Sequence, residues 1–193
     1  MRLADSVCIS RIIHSLTTKQ VYYPHLSVKI IIFVALITKY MERTLVILKP
    51  SAIARSLVGE VISRFERKGL QLAGIKMIQL SDEILNEHYA HLLDKPFFPR
   101  IKASMQASPV IVCCWEGLDA VQIVRDMTGV TNGRKAVVGT IRGDFSVSMQ
   151  ENIVHTSDSP ENAVVELNRF FSPNELFAYE NPIKCFRYAN DEV

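Results

Sequence analysis

The sequence predicts one α/β (α+β) domain over residues 41–193, preceded by a forty-residue N-terminal extension. Three observations favour this fold class. Segments with strand character alternate with amphipathic segments of helical period, in the order β-α-β-α-β-α-β-α. The 193 residues are 48% hydrophobic and 22% charged, which is enough for a sizeable core and too apolar for a disordered chain. No internal repeat or linker-like segment divides the alternating part.

Proline and glycine mark the ends of the first predicted strand and helix. A strand covers Leu45–Leu48 and ends before Pro50, which cannot donate to a sheet ladder. A helix follows, with apolar residues at helical spacing from Val58 to Phe65 and Gly69 at the C-cap. Residues 70–80 are predicted as a strand whose even-numbered residues share one face.

The remaining elements are predicted from capping and periodicity. Ser81 and Ser159 are expected to cap helices, and Pro160 suits the first turn of the second one. In chain order, we expect a helix over Asp82–Leu93, a break at Pro96–Pro99, a short amphipathic piece at Ile101–Met105, a strand at Val110–Trp115, a helix at Leu118–Met127, a loop at Thr128–Gly139, a strand at Asn152–His155, a helix from Ser159, and a tail at Phe171–Val193.

Charge is distributed unevenly between the extension and the domain. The net charge is +2, from 22 basic and 20 acidic residues. Residues 1–40 hold five basic residues and one acid, which leaves 17 basic and 19 acidic residues from Met41 on. A domain this close to neutral lacks the broad basic face that sequence-independent nucleic-acid binding requires, so we expect no stable nucleic-acid partner.

The extension allows more than one interpretation. Its longest apolar run, Ile30–Ile37, has eight residues, whereas a membrane-spanning helix needs about 20, so we expect no membrane partner. No small-residue cleavage site follows Ile37, which disfavours a signal peptide. The favoured interpretation is that the functional chain begins at Met41 and is cytoplasmic. A basic, acid-poor transit segment that directs the chain to an organelle is the alternative.

The four cysteines, Cys8, Cys113, Cys114 and Cys185, show no metal-binding spacing. Cys113 and Cys114 lie inside an apolar run, where free thiols behave as small buried hydrophobes. Their position favours core packing over redox chemistry and indicates a reducing compartment.

His155 is the first candidate for chemistry. It ends a predicted strand directly before polar residues and a capped helix. A lone histidine in such a place is most often a hydrogen-bonding residue. Glu166, eleven residues on, is expected to face back toward the helix start, where its carboxylate could orient the ring and stabilise an imidazolium.

Cations and polar donors come from separate elements. Lys49 ends a predicted strand, Arg125 lies on a predicted helix, and Thr131, Asn132 and Arg142 lie around a loop with three glycines. Each of these charged side chains, taken alone, would usually face solvent. Together with an apolar platform at Phe97-Phe98 they could form a nucleotide site without a P-loop.

From Met41 to about Tyr188 the sequence resembles the nucleoside diphosphate kinase family. The resemblance is specific because several short stretches occur in order. They are Leu48-Lys49-Pro50, Leu57-Val58-Gly59-Glu60, Arg64-Phe65-Glu66-Arg67-Lys68-Gly69, Glu87-His88-Tyr89, Lys95-Pro96-Phe97-Phe98, residues 139–145, and above all Asn152-Ile153-Val154-His155-Thr156-Ser157-Asp158-Ser159.

The resemblance implies a ferredoxin-like βαββαβ sandwich and a ping-pong phosphotransfer. In that mechanism His155 accepts the γ-phosphate of a nucleoside triphosphate, mainly ATP, as a phosphohistidine and passes it to a nucleoside diphosphate. The acceptors are GDP, UDP, CDP and the deoxy forms. Mg²⁺ would be held by nucleotide phosphates, with no metal ligand from protein side chains. The family also implies a homotetramer or a homohexamer.

The resemblance also assigns roles to individual residues. Glu166, supported by Ser157, would orient His155. Phe97 would stack on the base, which accepts any base and implies broad specificity. The other implied positions are Arg125, Thr131 and Arg142 on the phosphates, Lys49 and Asn152 on the sugar hydroxyl and phosphate, Ile101 and Met149 lining the slot, and His88 and Tyr89 nearby.

Some positions depart from the family pattern, which has an acid at Ser51 and glycines at Ser56 and Thr156. The loop 133–138 also lacks a proline that the family has. None of these departures removes a catalytic group, and Thr156 adds a β-branched side chain directly after His155.

Two other functions are compatible with parts of the sequence. A catalytically silent relative that binds nucleotides, partner proteins or single-stranded nucleic acid is one alternative, which the full set of implied catalytic residues disfavours. A metal site at His88 and His91 is the other, since their spacing suits one helix face, although no third ligand is expected nearby.

Overall fold

The computed structural model describes residues 41–189 and residue 192. Its centre is a four-stranded antiparallel sheet with the strand order β2-β3-β1-β4. The strands are β1 (Glu42–Leu48), β2 (Gln71–Ile78), β3 (Val110–Gly117) and β4 (Val154–Thr156). This order is that of a ferredoxin-like βαββαβ sandwich, so the predicted fold class is confirmed.

Seven α-helices connect and cover the described strands. They are α1 (Pro50–Ala54), α2 (Val58–Lys68), α3 (Asp82–His88), α4 (Phe98–Gln106), α5 (Ala120–Thr128), α6 (Ile141–Phe145) and α7 (Pro160–Phe170). Short 3₁₀ turns lie at Ala90–Leu92, Gly133–Lys135, Pro173–Glu175 and Lys184–Phe186. None of the described helices is both long and apolar enough to cross a membrane.

Both faces of the central strands β1 and β3 are buried, which explains their continuous apolar runs. Leu45 and Ile47 face one core cluster, where Leu85, Met105 and Leu167 bring in α3, α4 and α7. Alternate residues of β1 and β3 face a second cluster with α2 and α5, which contains Val46, Leu48, Cys113, Trp115, Val61, Phe65 and Val124.

Cys113 and Cys114 are free and fully buried, which confirms their predicted place in the core. Burial raises the pKa of both thiols to about 12, so they are inert at neutral pH.

The prediction that the even-numbered residues of 70–80 share one face is wrong. A β-bulge between Leu72 and Gly74 inserts one residue and reverses the alternation. Leu70 and Leu72 therefore contact the second core cluster, whereas Leu80 packs in the first.

Predicted capping is confirmed, but two helix boundaries differ. The Ser81 and Ser159 hydroxyls accept from the backbone N–H groups of Ile84 and Asn162. The helix that begins at Asp82 ends at His88 instead of Leu93, because Tyr89 leaves helical geometry with φ −108° and ψ 29°. The helix predicted from Leu118 begins at Ala120, after Asp119 adopts a left-handed φ of 47°.

The C-terminal tail lies along the outer strand β2, as expected for a surface-wrapping segment. The backbone N–H of Phe177 donates to the carbonyl of Ala73, and the hydroxyl of Tyr179 donates to the carbonyl of Leu72. Lys76 and Glu175 form an ion pair at 2.8 Å between strand and tail.

Candidate active site

A cavity of about 390 Å³ collects most of the predicted site residues. This volume lies in the usual range for small-molecule sites. The predicted residues that line it are Lys49, Tyr89, Phe97, Ile101, Arg125, Thr131, Arg142, Met149, Asn152 and His155. Ser157, Glu166 and His88 are absent from this lining and lie behind His155.

His155, Ser157 and Glu166 form a hydrogen-bonded set. The Nε2–H of His155 donates to Glu166 Oε1 over 2.9 Å, and the Ser157 hydroxyl donates to Glu166 Oε2 over 2.5 Å. Burial alone would raise the pKa of Glu166, but the His155 hydrogen bond and charge and the Ser157 hydroxyl outweigh it and lower the pKa to about 2. The carboxylate is therefore ionised, and Nδ1 of His155 carries the free lone pair.

Residues just before His155 are held in an unusual backbone conformation. Ile153 has a φ of +71°, which is rare for a β-branched residue and costs about 1–3 kcal/mol. This conformation explains why β4 begins at Val154 instead of the predicted Asn152. The carbonyl of Ile153 accepts from the backbone N–H of Lys49, which ties the strained residue to the end of β1.

Arg142 is a buried cation that braces the same segment. Its guanidinium donates to the carbonyls of Asn152, Val154 and Gly129. Burial and the nearby charge of Arg125 lower its pKa to about 10, so it stays charged at neutral pH. Arg142 therefore links α6, the glycine loop and the histidine strand beside the cavity.

Lys49 is the second confined cation. Its ammonium donates to Asn152 Oδ1 over 2.6 Å and to the Gln150 carbonyl over 3.3 Å. Burial and the charge of Arg142 lower the pKa of Lys49 to about 8, although Glu151 acts in the opposite direction. Two close cations in a partly buried cavity favour an anionic ligand.

Asn152 connects this cationic end to the glycine loop. Its amide nitrogen donates to the carbonyls of Thr131 and Met149, each over 2.8 Å. Since its oxygen accepts from Lys49, one side chain fixes both the loop and the lysine.

The opposite end of the cavity is apolar and open. Phe97 is 41% exposed and stands at the start of α4, with Ile101 one turn further on. Met149 is also exposed and comes from the segment before β4. An aromatic ring and two aliphatic walls suit a flat apolar group such as a nucleobase.

The sequence did not single out the contacts between the two sides of this end. Arg100 Nε donates to Gln150 Oε1 over 2.9 Å, and Gln150 Nε2 donates back to the Arg100 carbonyl over 3.3 Å. Ser104 donates to Glu151 over 2.5 Å. These contacts join α4 to the loop before β4. The one signal in the sequence is that Arg100 follows Phe97 by three residues, which places both side chains on the same side of α4.

His88 and Tyr89 occupy different places. Tyr89 lines the cavity, and burial together with the charge of Glu166 raises its pKa, so its hydroxyl stays protonated. His88 lies behind His155, with ring centroids 4.4 Å apart. Arg169, which the sequence also left unassigned, donates to His88 Nδ1 over 3.3 Å.

The structure argues against the metal site at His88 and His91. The helix ends at His88, which is buried, whereas His91 lies in the following 3₁₀ turn and is exposed. His88, His155 and Glu166 do bring three ligand-type atoms within 4.8 Å. His155 and Ser157 donate to Glu166, and Arg169 donates to His88, so we interpret the group as a hydrogen-bond network.

Comparison with known proteins agrees with this geometry. The family model for nucleoside diphosphate kinase matches residues 42–176. The chain belongs to the nucleoside diphosphate kinase family. A nucleoside diphosphate kinase from Parabacteroides distasonis is 63% identical over 152 residues, which cover 79% of this chain and 99% of that protein. Nucleoside diphosphate kinase B from Bos taurus is 45% identical, covering 73% and 93%.

A solved structure supports the same assignment. The halophilic nucleoside diphosphate kinase from Halobacterium salinarum in complex with CDP has a TM-score of 0.74 and 36% identity, covering 76% of this chain and 98% of that one. The chain is therefore a nucleotide-binding phosphotransferase with nucleoside diphosphate kinase activity. The predicted family and activity are confirmed.

A larger cavity of about 880 Å³ lies elsewhere, between the tail and the start of β2. It is lined by tail residues such as Tyr179 and Arg187 together with Gln71 and Glu116. None of the predicted site residues lines it, and Lys49, Arg125 and Arg142 are absent from its lining.

Proposed function

We propose that the kinase reaction proceeds in two steps through a phosphohistidine on His155. In the first step the Nδ1 lone pair attacks the γ-phosphorus of a nucleoside triphosphate, mainly ATP. The bond to the β,γ-bridging oxygen breaks, and the nucleoside diphosphate leaves with that electron pair. In the second step a terminal phosphate oxygen of another nucleoside diphosphate attacks the phosphorus, and the P–N electron pair returns to Nδ1.

The observation that carries this proposal is the 2.9 Å hydrogen bond from His155 Nε2–H to Glu166 Oε1. It places the ring proton on Nε2 and leaves Nδ1 unprotonated, as a nucleophile requires. When Nδ1 forms a bond to phosphorus, positive charge develops on the ring and the ionised carboxylate stabilises it. Ser157 holds the second oxygen of the carboxylate and so orients it.

The cationic end of the cavity suits the transferring phosphoryl group. Arg125, Arg142 and Lys49 are separate positive donors, and Thr131 adds a neutral one. Because charge spreads over the phosphoryl oxygens in the transition state, fixed cations stabilise it without having to reorganise. Lys49 and Asn152, which bond each other, would hold the sugar hydroxyl and phosphate.

Mg²⁺ is the proposed cofactor. Among the described residues no carboxylate lines the cavity, so the protein offers cationic and neutral donors there and no oxygen-ligand cage. This donor set fits an ion that the phosphates of the nucleotide would hold. Mg²⁺ would neutralise charge on those phosphates, and Arg125 and Arg142 would supply fixed positive charge beside them.

The apolar end supports broad base specificity. Stacking on Phe97 needs only a flat π-face, which every base has, and Ile101 and Met149 supply apolar walls. We therefore propose GDP, UDP, CDP and the deoxy forms as acceptors.

The assembly is proposed to be a homotetramer or a homohexamer. Exposed apolar side chains on the outer strand β2, Ile75 and Met77, and on the loop before α6, Val137 and Val138, support self-association. Sedimentation velocity would decide between four and six copies, and a monomer at micromolar concentration would contradict the proposal.

The extension and the localisation stay predictions, because residues 1–40 lie outside the described residues. A start at Met41 in the cytoplasm predicts that protein isolated from its own cells has the mass of residues 41–193. A processed transit segment would instead leave a different N-terminus on organelle-associated protein.

Replacement of His155 tests the reaction. His155→Ala should abolish transfer of phosphate from ATP to GDP while nucleotide binding is retained, because no other nucleophile replaces Nδ1. His91→Ala is the matched control, since His91 is exposed and lies outside the cavity. Turnover near that of wild type in His155→Ala would refute the mechanism.

A further inference from the structure

Arg169 contacts the hydrogen-bond network from outside the cavity. It lies on α7 three residues after Glu166, so the two side chains leave the same helix face. Its Nη1 donates to His88 Nδ1 over 3.3 Å, and its Nε donates to Glu87 over 2.8 Å. The Arg169 side chain is only 13% exposed, which makes this contact well shielded from solvent.

Two imidazoles lie close to the same carboxylate oxygen. Oε1 of Glu166 accepts from His155 Nε2 at 2.9 Å, and His88 Nδ1 lies 3.6 Å from that oxygen. The rings of His88 and His155 are edge to face, with centroids 4.4 Å apart. A proton on His88 Nδ1 would therefore let His88 compete with His155 for Glu166.

The contact with Arg169 determines where the His88 proton lies. A guanidinium has only donors, so His88 Nδ1 must accept, and the ring proton is on Nε2. That Nε2 is buried without a hydrogen-bond partner in the part of the chain that the structure describes. An unpartnered buried N–H is unfavourable, so the ring needs Arg169 to hold this tautomer.

The charges around His88 act in the same direction. Burial is the largest effect on its pKa, and the neighbouring charges of His155, Arg169 and His91 lower it further, against the opposing charge of Glu166. The pKa of His88 is about 3 as a result. Tyr89 and Phe170 complete its surroundings through edge contacts with the ring.

We propose that Arg169 is a positioning residue that keeps His88 Nδ1 free of a proton and thereby reserves Glu166 for His155. This inference rests on the proposed role of His155 and goes beyond it. Without Arg169, moving the His88 proton from Nε2 to Nδ1 creates a hydrogen bond to Glu166 and removes the unpartnered N–H. Glu166 then accepts hydrogen bonds from both imidazole rings, and His155 loses its fixed orientation.

Arg169→Leu tests this proposal, because leucine keeps the apolar stem in the helix and removes the donors. We expect kcat for phosphate transfer to fall about tenfold with KM little changed, since the cavity itself is not altered. Loss of the Arg169 charge also raises the pKa of His88 from about 3, so the acid limb of the kcat profile that reflects protonation of His88 should move up by about one pH unit. Long-range ¹H–¹⁵N histidine spectra should show the proton of His88 on Nε2 in the wild type and on Nδ1 in the variant.

Two further variants separate positioning from simple loss of structure. Glu87→Gln removes the ion pair of Arg169 with an exposed carboxylate and retains the guanidinium, so rate and pH profile should match wild type. Arg169→Leu combined with His88→Phe removes the competing imidazole and keeps a ring in its place. This double variant should recover most of the lost rate, whereas a generally loosened helix would not allow recovery.

Specific results would overturn the proposal. An unchanged pH profile and an unchanged His88 tautomer in Arg169→Leu would show that Arg169 has no such role. A proton on His88 Nδ1 in the wild type would contradict it directly. The tautomer spectra need no catalysis, so they remain informative even if His155 proves not to be the nucleophile.

Discussion

Nucleotide binding should be accompanied by proton uptake at Lys49. The pKa of this buried ammonium is about 8, so about half of the sites carry a neutral Lys49 at pH 8 and about nine tenths at pH 9. Binding of an anionic diphosphate favours the charged form and returns the pKa toward its ordinary value of 10.5. Uptake should therefore be about 0.5 proton per site at pH 8 and about 0.9 at pH 9, against about 0.1 at pH 7.

The affinity follows from the same linkage. When the charged form is required for binding, the fraction of competent sites falls as pH rises above 8. Affinity for a nucleoside diphosphate should fall about tenfold between pH 7 and pH 9. Arg142 should contribute little to this pH dependence of affinity, because its pKa of about 10 keeps it largely charged between pH 7 and pH 9.

Isothermal titration calorimetry with Mg·ADP measures this uptake directly, in pairs of buffers with different ionisation enthalpies. At pH 8 and above the diphosphate itself is fully ionised and contributes little. Lys49→Met should abolish the uptake and its rise with pH, whereas Lys184→Met, in the distant tail, should leave both unchanged. Uptake in the wild type that stays near zero at pH 9 would refute the assignment of Lys49 to the phosphate end.

The remaining predictions concern the base, the orienting carboxylate and the helix that carries it. Phe97→Ala should raise KM for GDP, UDP and CDP by a similar factor of about 5 to 100, whereas Phe186→Ala should not; a loss confined to one base would contradict stacking. Glu166→Gln should lower kcat about 10- to 100-fold, the range of one charge-assisted hydrogen bond, and an unchanged kcat would show that Glu166 does not orient His155. Because the pKa of Glu166 is lowered, the ionised carboxylate stabilises the fold above pH 5, and this stabilisation is lost as pH falls toward 2. Acid unfolding followed by circular dichroism should therefore depend less on pH in Glu166→Gln than in the wild type. Ser159→Ala should lower the free energy of unfolding by about 1 kcal/mol in urea titrations, with Ser108→Ala as a control, and an equal effect of both would refute a specific cap.

Much of the fold could be predicted because local signals agreed with the tertiary structure. The apolar runs of β1 and β3, the serine caps at Ser81 and Ser159, and Gly69 at the end of α2 each depend on residues close in sequence. The bulge at Leu72 could not be predicted, because it depends on pairing with β3 and not on the pattern of β2 itself. Strand order is likewise a long-range property, and it came only from family resemblance.

The candidate site was likewise predictable only where its residues lie close together in the sequence. Glu166 was predictable as a partner of His155 because the spacing of the helix after Ser159 turns it back toward the strand. His88 and Arg169 belong to distant parts of the chain, and nothing in either local pattern shows that they meet. The strained backbone of Ile153 is equally invisible in sequence, since a β-branched residue there suggests a strand.

The covalent intermediate is the central claim, and labelling tests it most directly. Purified protein incubated with Mg²⁺ and γ-labelled ATP should acquire acid-labile, alkali-stable label that added GDP discharges as labelled GTP, and His155→Ala should acquire none. Formation of labelled GTP without any labelled protein, or equal labelling of the His155→Ala variant, would contradict a phosphohistidine on His155.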